Sequence, residues 1–167
     1  MAFPPRRPEA SPWVLHSLAL SLARQPGVTS FARTLARVPS VRDRLGRIAA
    51  LFTFVSTLVN VPPPPGGRLR DGVDLLLRLA GEEHGPAVIL CALLQALGER
   101  ASIVCAPGRS FVRVEVEARD FPRLPPHAGL FSCRGRYYIP LDARQSRGPL
   151  GFLPRLARGA AFGGRGV

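Results

Sequence analysis

Apolar positions recur with one period in the first hundred residues of this chain and with another afterwards. Leu15, Leu18, Ala19 and Leu22 share one helical face, which predicts a helix from Ser11-Pro12 to about Arg24, with the serine as N-cap and the proline at the first helical position. Pro26-Gly27 is read as its end. Phe31, Leu35 and Val38 predict a short helix from Thr29 or Ser30 to Val38. After the break at Pro39-Ser40, Leu45, Ile48, Leu51, Phe52, Val55 and Leu58 predict a third helix from Val41 to about Val59, with Asp43 in the first turn, where a helix dipole favours an anion. Residues 62–67, four prolines and two glycines, form a stiff turn. A short helix follows from Asp71 or Gly72 through Ala80, and Gly81 stops it. The most apolar stretch, 86–97, reads as a central helix opened by Pro86 and closed by Gly98.

Beyond Gly98 the period falls to two. Ala101–Ala106 is a short apolar strand. Ser110–Ala118 alternates, with Val112, Val114 and Val116 on one face and Phe111, Arg113, Glu115 and Glu117 on the other. Residues 121–128 are a proline-rich loop. Leu130–Cys133 and Tyr137–Leu141 form a hairpin around Arg134-Gly135. Helices followed by antiparallel strands predict an α+β fold.

The chain has 167 residues, 46% of them hydrophobic and 20% charged, which fits one domain with a true core and excludes a disordered charged tail protein. The formal net charge is +12, and all 23 basic residues are arginine, against 11 acidic ones. A GC-rich genome accounts for arginine in place of lysine. It does not account for the imbalance, which points to an anionic partner. Cys91, Cys105 and Cys133 have no metal-ligand spacing and sit in apolar runs, as small buried hydrophobes do. The N-terminus lacks the pattern of a secretory signal, and the apolar run from Ile48 to Val61 is too short to span a bilayer, so a cytoplasmic protein is expected.

Several landmarks fall in order between residues 42 and 143. They are the Pro/Gly turn Val61–Gly66, the short helix Asp71–Ala80, Gly81 with the run Ala87–Gly98, the strand Ala101–Val104, the segment Gly108–Val114, and Tyr137-Tyr-Ile-Pro-Leu-Asp142. Together they resemble the transglutaminase-like family, the bacterial and phage branch of the papain-like cysteine enzymes. The resemblance implies a central helix packed on a small antiparallel sheet over residues 41–143. An N-terminal arm and helices would occupy 1–40, and a Gly/Arg-rich tail 144–167.

In that family a thiolate at the helix N-terminus attacks an amide carbonyl, a histidine shuttles the proton and an aspartate orients the histidine. The resemblance lays the cysteine position on Glu83. It lays the histidine position on Arg109, or on Ser110 if the register slips by one. Only Asp142 matches. A carboxylate is a poor stand-in for a thiolate, and an arginine stays protonated at any working pH and cannot be a base. The charges compensate, which suggests a Glu83–Arg109–Asp142 ion network in place of the triad. The resemblance then implies a pseudoenzyme with no catalytic residues.

Weaker signals complete the picture. Cys91, two turns into the central helix, reads as core filler and not as a relocated nucleophile. His84 beside Glu82 and Glu83, with His127, carries little metal-site specificity, and His16 reads as a rim residue. No cofactor or metal is expected. Arg33, Arg37, Arg42, Arg44 and Arg47, with Arg155 and Arg158 in the tail, are the candidate anion or partner contacts. The expected function is a non-catalytic protein-binding or assembly module. The alternatives are an active cysteine-type amidase or acyltransferase with a rearranged site, and a nucleic-acid-associated basic protein.

Overall fold

Proline placement and apolar spacing set the helices. The computed structural model describes residues 11–37, 43–60, 72–126 and 128–144. Helix α1 (Pro12–Ala23) and helix α2 (Pro26–Ala36) each open on a proline. Pro26 therefore starts α2 and does not merely end α1, because a first-turn position needs no N–H and suits the fixed φ of proline. Helix α3 (Arg44–Leu58) begins three residues later than its periodicity suggests. Asp43 is the N-cap itself: its Oδ1 accepts from the Gly46 N–H at 2.7 Å. Helix α4 (Gly72–Leu79) and helix α5 (Gly85–Ala96) follow the pattern closely.

Ten consecutive residues of α5, Gly85 to Leu94, are buried. A helix apolar on every side has to be covered on every side. α1, α2, α3 and α4 cover part of it, and strands β1 (Ala101–Ala106) and β2 (Arg109–Val116) cover the rest. Leu15, Ala19 and Leu22 of α1 and Val28 and Ala32 of α2 belong to the same hydrophobic cluster as α5. The N-terminal helices are thus part of the main core and not an appended extension. α4 approaches α5 so closely that a β-carbon at Gly85 would collide with the Leu79 carbonyl oxygen.

The sheet is antiparallel, in the order β1-β2-β4-β3, with β3 at Phe131–Cys133 and β4 at Arg136–Leu141. The β3–β4 turn uses Arg134 and Gly135 at φ 50° and 74°, the left-handed pair that a tight hairpin needs. The loop after β2 contains a 3-10 turn, Ala118–Arg123, that the sequence pattern did not reveal. Val112, Val114, Ile139 and Leu141 face α5. The opposite face is not simply solvated: Phe111 is buried, and the Arg113 guanidinium lies 5.0 Å from the centre of the Tyr138 ring. The architecture is α+β, as the change of period implies. The Pro/Gly turn at 62–67, the N-terminal arm and the tail beyond 144 lie outside the described residues.

One arginine ties the helical layer to the sheet. From the first position of α3, Arg44 donates to Glu99 Oε2 (2.8 Å), Asp120 Oδ2 (2.7 Å) and the Glu115 carbonyl oxygen (2.7 Å). Burial alone would lower its pKa. The Glu99 hydrogen bond and the charges of Glu99, Asp120 and Glu117 outweigh that and raise it, so the guanidinium stays charged. The Glu99 and Asp120 side chains are only 9% and 10% exposed, so removing the arginine strands two nearly buried carboxylates. Arg44→Met is expected to cost about 3 kcal/mol in denaturant unfolding. Arg100→Ala, which breaks a pair whose arginine is 71% exposed, is expected to cost less than about 0.5 kcal/mol.

Candidate functional site

The region where the resemblance places catalysis lies between the start of α5 and the adjoining ends of β2 and β4. Three residues lead into α5: Glu82 and Glu83, both exposed, and His84, half-buried. The turn is anchored from the sheet side. Arg144 donates through Nη2 to the Glu82 carbonyl oxygen at 2.9 Å, and its backbone N–H donates to Asp142 Oδ1 at 3.1 Å.

Arg109 and Asp142 meet. Arg109 Nη1 lies 3.4 Å from Asp142 Oδ2, and the aspartate side chain is 2% exposed. Neither of those two atoms has a hydrogen-bond partner of good geometry, so the pair is held by charge and proximity and not by a bidentate fork. Glu83 does not join them and makes no ion pair among the described residues. Strand alternation explains why. Arg109 shares its face with Phe111 and Arg113, whereas Val112 and Val114 point toward α5. The arginine therefore leans away from the helix start that carries Glu83. Of the three-charge network expected from sequence, the Arg109–Asp142 half is present and the Glu83 half is not.

The side chain that does face the start of α5 is Ser110. Its Oγ is 3.1 Å from His84 Nδ1, and the residue is 5% exposed. The strand alternation in the sequence carries a signal for this contact. Ser110 continues the inward register of Val112 and Val114, and a buried hydroxyl requires a partner. A serine–histidine contact is also the geometry of a nucleophile and its base. Here the imidazole has no hydrogen-bonded carboxylate among the described residues to orient it.

The thiols offer no alternative nucleophile of the expected kind. Cys91 is fully buried in α5, and burial pushes its pKa up to about 12. Cys105 and Cys133 are half-buried, not core residues as their apolar surroundings suggested, and burial also raises the Cys105 pKa. No group of three or more His, Cys, Asp or Glu among the described residues could hold a metal ion. His127, the proposed companion of His84, lies outside those residues.

The arginines separate by role. Arg44 is consumed by the internal network described above, which corrects its reading as an anion contact. Arg33 and Arg37 are exposed and, with Arg24, line a groove of about 460 Å³ along α2. Arg47 is half-buried on α3. Arg42, Arg155 and Arg158 lie outside the described residues.

A thiol titration checks this picture. In the native protein at mildly alkaline pH, a thiol-reactive disulfide reagent is expected to modify Cys133 first and Cys105 more slowly. Cys91 is expected to react only after denaturation. Rapid native labelling of Cys91 would contradict its place in the core. In comparisons with protein-family models, curated proteins and solved structures, no match was found.

Proposed function

We propose that this chain is a non-catalytic, transglutaminase-like module that binds another protein in the cytoplasm. The observation that carries the reading is the Arg109–Asp142 ion pair. Where the resemblance calls for a histidine poised between a thiolate and a carboxylate, the carboxylate is neutralised by a cation that cannot give up its proton. Glu83, at the nucleophile position, is exposed and apart from that pair. The only thiol on α5 is buried and protonated. What remains is a firmly packed scaffold whose helix start and strand ends are available for contact. The order of elements, a buried central helix followed by antiparallel strands, supports the transglutaminase-like core.

One observation favours a second reading, an acyltransferase or amidase with a rearranged site. Ser110 and His84 lie within hydrogen-bond distance, as nucleophile and base would. The burial of Ser110 and the lack of an orienting carboxylate weigh against it.

A native pull-down of the tagged full-length chain from its source cell, after nuclease treatment and with low-salt then high-salt washes, separates the readings. A protein partner retained at fixed stoichiometry through high salt is the expected result. Recovery of nucleic acid alone, lost as salt rises, would contradict it and assign the arginine surface as the function.

A further inference from the structure

The N-terminal helices carry a surface that the proposed function does not use. On α1, Trp13 is 80% exposed, Val14 65% and Leu20 37%. With Ser17, Ser21 and Arg24 they fall within about a third of the helix circumference, at 100° per residue. The opposite side of α1 carries Leu15, Ala19 and Leu22 into the core. The exposed stripe is therefore a second apolar face on a helix already packed.

Arg24 ends that stripe and also lines the groove with Arg33 and Arg37, so the apolar stripe and the arginines form one continuous surface. The charge on it is one-sided. Residues 10–42 contain no aspartate or glutamate, and none of the three guanidiniums has an acidic partner among the described residues. Ser30 and Thr34 stand between the arginines as neutral polar neighbours.

We propose that this face docks on an anionic lipid bilayer, lying in the interface and not spanning it. The two halves of the surface match the two layers of such a membrane. Trp13, Val14 and Leu20 gain by entering the boundary between headgroups and acyl chains, where indole is especially favoured. Arg24, Arg33 and Arg37 pair with lipid phosphates, which guanidinium forks recognise well. Nucleic acid would satisfy the arginines but gives nothing to the methyl groups of Val14 and Leu20. An interfacial helix needs no length to cross the bilayer, which agrees with the finding that no helix among the described residues is long and apolar enough to do so. The inference is independent of the protein-binding reading, since it rests on a different face.

Trp13 is the only tryptophan of the chain, so its fluorescence reports this contact alone. The full-length protein is mixed with vesicles of phosphatidylcholine, and with vesicles in which roughly a third of the lipid is phosphatidylglycerol. A blue shift with the anionic vesicles and little with the neutral ones is expected. The double variant Arg33→Gln/Arg37→Gln, both exposed positions, is expected to keep the native circular dichroism and to bind about 25-fold more weakly, at roughly fivefold per arginine. Trp13→Ala is expected to lower co-sedimentation with anionic vesicles. An unshifted Trp13 in the presence of anionic vesicles overturns the proposal, even if the protein sediments with them, because another surface is then responsible. Equal shifts on neutral and anionic vesicles, insensitivity to the arginine changes, or a Trp13 response to single-stranded DNA in place of vesicles overturns it as well.

Discussion

The burial of α5 is the constraint on which the rest depends. A helix with ten successive buried residues cannot stand at a surface, so four helices and two strands must close around it. That requirement accounts for the apolar faces of α1 and α3, the close approach permitted by Gly85, and the inward valines of β2. It also confines polar chemistry to the ends of the helix. The C-terminal end is clamped by Arg44 through Glu99, Asp120 and the Glu115 carbonyl oxygen. The N-terminal end is held more lightly, through Arg144 and the His84–Ser110 contact.

In the cysteine enzymes that the sequence resembles, the start of the central helix is where an anion and a proton shuttle converge. Here the two charged groups at the strand ends neutralise one another on the face turned away from α5. The helix start is left with two exposed glutamates and a histidine hydrogen-bonded to a buried serine. The thiol on α5 is buried and the carboxylate at the strand end is paired with Arg109, and the proposed binding role draws on these two observations.

Much of the architecture was legible because it depends on local periodicity. α1, α4, α5 and β1 fall within about two residues of the pattern, and the hairpin turn follows from Arg134-Gly135. The misplacements also have physical causes. Proline both ends and begins helices, so the sequence pattern alone does not show that Pro26 opens α2. Periodicity puts Asp43 inside α3, whereas its side chain caps the helix. Long-range polar contacts were not legible. Arg44 reads as one of several exposed arginines, and its partners lie 55 to 76 positions away in the chain. The three-charge network failed at Glu83 because which face of β2 an arginine occupies depends on where the strand pairs. The alternation that exposes this was present in the sequence and pointed to Ser110 as the inward residue.

The central claim is that the site performs no acyl transfer, and intact-mass measurement tests it most directly. The native protein is exposed to a serine-directed fluorophosphonate and, separately, to a cysteine-directed acyl-donor mimic. Peptide mapping then locates any adduct. The account predicts no adduct on Ser110 or Cys91, with modification at most on the half-buried Cys105 and Cys133. A stoichiometric adduct on Ser110 that disappears in His84→Ala would contradict it and establish a serine–histidine catalytic pair.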